Sequence, residues 1–460
     1  MISLKSVCLV TKGVWCGKPP SINDEEQELT GVCFDTRNYY QEDIFIALTS
    51  DKGSANFHLP KLDGQPVKLI IIEQDVKRTH KGAYYLKVDN SMQALHLMAR
   101  AVIDLFKGLV VAVTGSSGKT TFKHWLSCVL EKKYKVYASP KSYNNHIGVP
   151  ISILNCALDA DILILEMGTN SSGEILELVK MARPHISILL NVGMAHLGKF
   201  GSMPDVYLAK QEIFQFSREP KLAFIPADDS KIKTPKDSNV ITFGEGSDLY
   251  DSKVIGLPVD GITKYEILIR DKKLNFSSSL IGEHVAHNLS GIISVSDKLE
   301  VRGSDMIKAI GKLANLPGRL QLVKAINGGW LIDDSYNANP NSVINLLNTI
   351  VKLDFSPKTL VLGDMAELGG QEELVVNFIS ERFPSGVDNL IIYGNFANIL
   401  GKALLGKRPD LAINIIISKD QQSIHRHVKE FFSSDSLVAF KGSRVTKIEN
   451  ILRSYIDRDN

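Results

Sequence analysis

Residues 114–121, TGSSGKTT, bring together the groups that a phosphate chain needs. Gly115 and Gly118 permit close backbone approach, Lys119 supplies a cation, and the Thr120 hydroxyl suits a Mg2+ ion. Thr114, Ser116, Ser117 and Thr121 complete the run. The usual phosphate-loop pattern, G-x-x-x-x-G-K-[ST], puts its first glycine at position 113. That residue is Val113, so the spacing here is the shorter G-x-x-G-K-T. The alternative is a strand–turn–helix connection with an incidental Gly and Lys.

Two further residues stand where such a loop would use them. Glu166 closes the apolar run DILILE, and His196 follows HISILLNV. Both runs have the length and composition of parallel strands covered on both faces. In open α/β sheets, ligands gather beyond the carboxyl ends of the strands. Glu166 offers hard oxygen to Mg2+, whereas the His196 imidazole suits softer metals. Taken singly, either is more often a surface or loop residue. DDSYNANPNS (333–342) and KGSR (441–444) are also polar; by composition alone they read as a solvated loop and a charged turn.

The elements around the loop fit a phosphate site. LVVAV precedes it as a buried-strand pattern. Phe122, Trp125, Leu126, Val129 and Leu130 follow it at the spacing of one helix face. Upstream, DIFIAL, KLIIIE and YYLKV read as short strands, ending in the helical pattern SMQALHLMARAVIDLF. KLAFIPADD continues the parallel strands, and residues 240–280 read as a turn-rich antiparallel insertion. LPGRL (316–320) marks a linker. WLIDDSY, TLVLGDM, NLIIYG and SLVAFKG then alternate with helical segments, the pattern of a second α/β unit.

A chain of 460 residues accommodates about three domains. The net charge of +2 supplies no basic field, so nucleic acid is not an expected partner. Five scattered cysteines without a C-x-x-C pair read as reduced thiols. No apolar run approaches the roughly 20 residues of a membrane helix, and the N-terminus lacks a signal-peptide pattern. A soluble cytoplasmic protein without membrane insertion is expected.

Nine stretches occur in order: TGSSGKTT, SPKSYNNHIGVP, EMGTNSSGEI, NVGMAHLGKFGS, LAKQEIF, LPGRL, DDSYNANPNS, GDMAELG and KGSR. The series resembles the Mur ligase family, ATP-dependent amide-forming enzymes of peptidoglycan synthesis, from about residue 31 to 450. YNNHIGVP and SYNANPNS favour the type that adds D-alanyl-D-alanine to UDP-N-acetylmuramoyl-tripeptide (UDP-MurNAc-tripeptide). The types that add diaminopimelate or lysine typically carry D-N-P-[RA], and that motif is absent here.

The resemblance implies an α/β protein of three-domain Mur ligase architecture. Residues 1–104 would bind the UDP substrate, 105–314 would form a central P-loop ATPase domain, and 315–460 a C-terminal Rossmann-like domain. It supplies the loop form T-G-x-x-G-K-[ST]-[ST], which accounts for Val113. It also implies two steps: phosphorylation of the peptide carboxylate by ATP, then attack of the dipeptide amine on the acyl phosphate.

By the same resemblance, Lys119 and loop residues 114–121 hold the phosphates, and Thr120, Glu166 and His196 serve Mg2+. Asn288, Arg319 and Asp334 contact ATP. Asp35 and Arg37, in FDTR, match the motif for the uridine-nucleotide end. Asn144, Asn145, Tyr336, Asn337 and Asn339 fall on the substrate side. Lys210, in LAKQEIF, matches a position that often carries a CO2-derived carbamate, which would turn a cation into a metal ligand. Read without the resemblance, Lys210 is an ordinary helix-surface lysine. A monomer is expected. A different Mur-type or folylpolyglutamate-type ligase, or a non-catalytic Mur-like protein, remains the alternative. A GTPase would require N-K-x-D, which the chain lacks.

Overall fold

The structure is a computed structural model and describes residues 2–456 apart from 51–52, 78–79, 195–196, 257–261, 327, 367, 412 and 419. Near the N-terminus, five strands pair in the order Val14–Trp15, Tyr84–Lys87, Leu69–Ile72, Ile44–Ile46 and Val32–Cys33. All neighbours are parallel except the first pair. The helix Ser91–Leu105 follows, its N-terminus capped by Asn90, whose side chain accepts from the Gln93 N–H at 2.7 Å. Its buried face (Ala94, Leu95, Met98, Ala99, Val102 and Ile103) packs against the helix Gly148–Leu154. One hydrophobic core therefore runs from Leu4 through Ile103 to Leu165 and Val179.

The central sheet has six parallel strands, ordered Val136–Ala138, Ile162–Glu166, Leu109–Thr114, Ile186–Leu189, Leu222–Pro226 and Asn239–Phe243. Val110, Val111, Ala112 and Val113 are fully buried, as strands covered on both faces must be. The chain enters at Leu109–Thr114, crosses to the edge strand Val136–Ala138, fills the gap with Ile162–Glu166, and then builds the other side. The loop after Thr114 therefore sits where the strand order reverses, the usual place for a ligand in such a sheet.

One expectation needs correction. ITF, read as part of an antiparallel insertion, belongs to Asn239–Phe243, the sixth parallel strand, paired with Leu222–Pro226. It is an edge strand only partly buried, so it lacks the continuous apolar run of the inner strands. The antiparallel part is Ser252–Gly256, Thr263–Ile269 and Lys272–Ser278.

A second six-stranded sheet holds Gln321–Lys324, Trp330–Asp334, Leu437–Lys441, Lys358–Leu362, Asn389–Tyr393 and Asn414–Ser418 in that order. Only the first strand is antiparallel to its neighbour. The register sets Asp334 beside Lys441 at the carboxyl ends of adjacent strands. No helix of the described residues is long and apolar enough to cross a membrane.

Candidate active site

The strand Leu109–Thr114 runs into the loop and the helix Lys119–Leu130 leaves it. Gly118 makes the step between them at φ +80°, where a side chain would be strained. No side chain caps this helix, so its first-turn N–H groups and the positive end of its dipole are left for an anion.

Asn191, two residues beyond Ile186–Leu189, pins the loop from the neighbouring strand. Its Oδ1 accepts from the Ser117 N–H at 3.0 Å, and its carbonyl accepts from the Ser116 N–H at 3.1 Å. The Ser116 hydroxyl donates to the Gly193 carbonyl at 3.1 Å and accepts from its N–H at 2.8 Å. The Thr114 hydroxyl donates to the Met167 carbonyl at 2.7 Å. Thr114 and Ser116 thus tie the loop to adjacent strand ends. Thr121 is buried in the first helical turn. Gly118, Lys119 and Thr120 line a cleft of ≈ 1090 Å³.

Two lysines converge at the start of the loop. Lys119 Nζ donates to the Gly115 carbonyl at 2.7 Å, and Lys210 Nζ donates to the same oxygen at 3.3 Å. Lys210, on the helix Met203–Gln211, is 1% exposed. Burial, and secondarily the Lys119 charge, hold its pKa well below the usual lysine range. It is not a surface lysine.

Glu166 ends the strand beside the loop and is 1% exposed. One oxygen accepts from Lys123 Nζ at 3.2 Å, the other from Asn144 Nδ2 at 2.9 Å. Lys123 lies one turn beyond Lys119 and also donates to the Lys141 carbonyl at 2.5 Å. Burial lowers the Lys123 pKa, with the Glu166 charge opposing it.

The opposite wall comes from the linker and the C-terminal sheet. Arg319 Nη2 donates to Thr120 Oγ1 at 3.2 Å, and its guanidinium lies 4.0 Å from the centre of the Tyr336 ring. The Thr120 hydroxyl also pairs with Ser142 Oγ at 3.2 Å, and Ser142 with the Tyr336 hydroxyl at 2.8 Å. Asp334 forms an ion pair with buried Lys441 and accepts from the Leu320 N–H at 3.1 Å. Burial raises the Asp334 pKa against the pull of Lys441. Lys441 also donates to the Asn337 carbonyl at 3.2 Å.

The Mur ligase middle domain matches residues 113–295, and the Mur ligase, glutamate ligase domain matches residues 318–444. Together they cover the loop, Arg319 and the C-terminal wall of the cleft. The chain belongs to the Mur ligase family.

Among its Mur ligase relatives, the UDP-N-acetylmuramoyl-tripeptide–D-alanyl-D-alanine ligase of Bacillus subtilis (strain 168) is 28% identical over 437 residues, 94% of each chain. The enzyme of the same name from Escherichia coli (strain K12) is 27% identical over 439 residues, 93% of each chain. The crystal structure of MurF ligase from Thermotoga maritima in complex with ADP matches with a TM-score of 0.79 at 28% identity, covering 92% of this chain and 96% of that one. MurF from Acinetobacter baumannii matches with a TM-score of 0.86 over 98% of both chains; at 23% identity that likeness is one of fold.

The remaining expected residues of this Mur ligase divide by position. Asn288 is buried with its amide against the loop, in contact range of a Cβ placed on Gly118. Asp35 and Arg37 lie in the N-terminal part and pair with each other at 2.7 Å. That bond holds the Asp35 pKa down to about 2. Asn145 is exposed, and its Oδ1 accepts from the Gly148 N–H at 2.9 Å, at the start of the helix Gly148–Leu154. Asn339 caps the helix Pro340–Lys352 in a reciprocal box with Ser342. The Asn337 side chain accepts from the Ala338 N–H at 2.9 Å. His196 lies outside the described residues. Sequence reading did not single out Lys123, Ser142 or Asn191. Lys123 alone left a sequence signal, a charge set among the apolar positions Phe122, Trp125 and Leu126.

Proposed function

We propose that this Mur ligase uses ATP to join D-alanyl-D-alanine to UDP-MurNAc-tripeptide in peptidoglycan precursor synthesis. The observation that carries the reading is the cleft in which the phosphate loop meets the linker Arg319 and the C-terminal Tyr336. A nucleotide and an amine acceptor can meet there. The names of the relatives, which span nearly the whole chain, support this choice of substrates.

Chemically, a carboxylate is a poor electrophile. The tripeptide carboxylate attacks the γ-phosphorus of ATP, ADP leaves, and an acyl phosphate forms. The dipeptide amine then attacks the acyl carbon, phosphate leaves, and the amine proton is lost. Positioning and charge neutralisation supply most of the catalysis.

We assign the phosphate chain to Lys119 and the N–H groups of residues 118–121. Thr114, Ser116, Ser117 and Asn288 keep the loop in shape. Arg319 approaches the transferring phosphate, and Asp334 orients Lys441 beside it. Asn144 holds Glu166, and Tyr336 and Asn337 border the acceptor side. Asn145 and Asn339 contribute by fixing helix starts. Asp35 and Arg37 are assigned to the uridine end, and His196, outside the described residues, keeps its metal role from the resemblance alone. Domain junctions are proposed near residues 104 and 314; the three large sheets fall on either side of them.

Mg2+ fits the donor set. Among the described residues no three His, Cys, Asp or Glu side chains converge as a cage. Nucleotide-bound Mg2+ needs only one or two protein ligands besides phosphate, and Glu166 with the Thr120 hydroxyl offers hard oxygens of that kind. When bound, the ion would neutralise charge on the phosphates.

Lys210 is proposed to carry the carbamate. A neutral amine is required to add CO2 and release a proton, and burial beside Lys119 favours that form. The carbamate would exchange a buried cation for an anionic oxygen ligand.

The test is phosphate release from ATP with UDP-MurNAc-tripeptide, comparing D-alanyl-D-alanine with lysine, diaminopimelate and glutamate. Stimulation by D-alanyl-D-alanine is expected. Stimulation by another amine alone would indicate a different Mur-type ligase, and stimulation by none would overturn the proposed pair of substrates.

A further inference from the structure

Tyr336 and Arg444 project from the carboxyl ends of adjacent parallel strands. Tyr336 lies two residues beyond Trp330–Asp334, and Arg444 three residues beyond Leu437–Lys441. The two strand ends are locked by the Asp334–Lys441 ion pair. The Arg444 guanidinium rests 4.7 Å from the centre of the Tyr336 ring, which Arg319 also contacts at 4.0 Å. A phenol face attracts each cation, but the two cations repel each other.

Four other arginines of this chain, Arg37, Arg183, Arg270 and Arg408, each pair with an Asp. Among the described residues no carboxylate lies at ion-pair distance from Arg319 or Arg444. The nearby Asp334 is already engaged by Lys441. Arg319 and Tyr336 line the cleft and Arg444 adjoins it through the same ring; two guanidiniums over one ring form a place for an anion. Arg319 is committed to the phosphate end through Thr120. Arg444 has no such contact and is exposed.

Resting on the proposed reaction, we infer that Arg444 binds the terminal carboxylate of the incoming dipeptide. The chemistry of that substrate separates its two ends. Its amine must reach the acyl carbon beside the transferred phosphate. Its carboxylate then lies about two residues away, roughly 6–7 Å. Arg319 at the phosphate end and Arg444, on the same Tyr336 ring, supply two cations within reach of the two ends of such a substrate. A guanidinium can hold a carboxylate through two parallel hydrogen bonds, which also fixes the direction of the dipeptide. Arg444 would therefore select an amine substrate that ends in a free carboxylate.

The test crosses two enzymes with two acceptors: wild type and Arg444→Gln, each with D-alanyl-D-alanine and with D-alanyl-D-alaninamide, which lacks the carboxylate. In Arg444→Gln the KM for D-alanyl-D-alanine is expected to rise about 10- to 100-fold, the range for a lost hydrogen bond to a charged group. The KM for ATP should stay unchanged. The amide should be equally poor for both enzymes. An equal rise for both acceptors, a rise in the KM for ATP, or no change overturns the inference. If Arg444→Gln fails to fold, wild type decides: equal KM for acid and amide overturns it. Failure of D-alanyl-D-alanine to stimulate wild type would instead sink the proposed reaction.

Discussion

Lys119 and Lys210 donate to one oxygen, the carbonyl of Gly115. Two ammonium groups on one acceptor is a strained electrostatic arrangement in a buried place. It would be relieved if Lys119 turned to an anion and Lys210 were neutral, the form its burial favours. In the proposed reaction the pair would separate two roles, a cation for phosphate and a neutral amine.

Lys119→Ala is expected to reduce turnover by at least about 10²-fold, the scale for loss of one aimed electrostatic group. Steady-state phosphate release measures it. Retained activity would mean that this loop is not the phosphate site.

Lys210→Ala should also be inactive, but with a chemical rescue. Formate or acetate can enter the space left by the side chain and supply the missing carboxylate oxygen. Partial recovery of phosphate release at millimolar carboxylate is expected. No recovery by any short carboxylate would argue against a carbamate at this position.

Lys123 and Glu166 form a buried ion pair, with side chains 4% and 1% exposed. Lys123→Met should destabilise the protein by about 3–5 kcal/mol, because it leaves a buried carboxylate without its cation. Urea denaturation reads this directly. Adding Glu166→Gln should restore part of the loss, since the uncompensated charge is then removed. A loss below about 1 kcal/mol would show that Asn144 alone suffices to hold Glu166.

His284 provides a pH test. Burial, then the Lys441 charge, pushes its pKa down to about 4. An unfolded histidine titrates near 6.5, so the folded state binds fewer protons in between. The stabilisation is fully present above about pH 6.5 and is lost as pH falls toward 4. Tm measured from pH 7.5 to 4.5 should fall more steeply for wild type than for His284→Gln. Parallel curves would remove His284 from the cause.

Much of the site was legible because its chemistry is local in sequence. The strand, loop and helix around Lys119 follow one another without a break, and each has its own pattern. The inner parallel strands were equally legible, since burial on both faces demands continuous apolar runs such as DILILE. The edge strand Asn239–Phe243 was not, because an exposed edge relaxes that demand. Asn144 and Asn145 are neighbours of one residue type, yet one holds Glu166 and the other a helix start. Only the direction of each side chain separates them.

By itself, the sequence determined the phosphate loop, the alternation of strands and helices, and the ordered motifs that mark a Mur ligase. These depend on residue type and short spacing. Tertiary structure decided which groups meet: Lys210 with Lys119, Lys123 with Glu166, and Arg319 and Arg444 over Tyr336. The partners in each of these contacts come from separate elements or loops. Hydrophobic patterning sets where elements go, but the charge state and reach of a side chain depend on what the completed fold places around it.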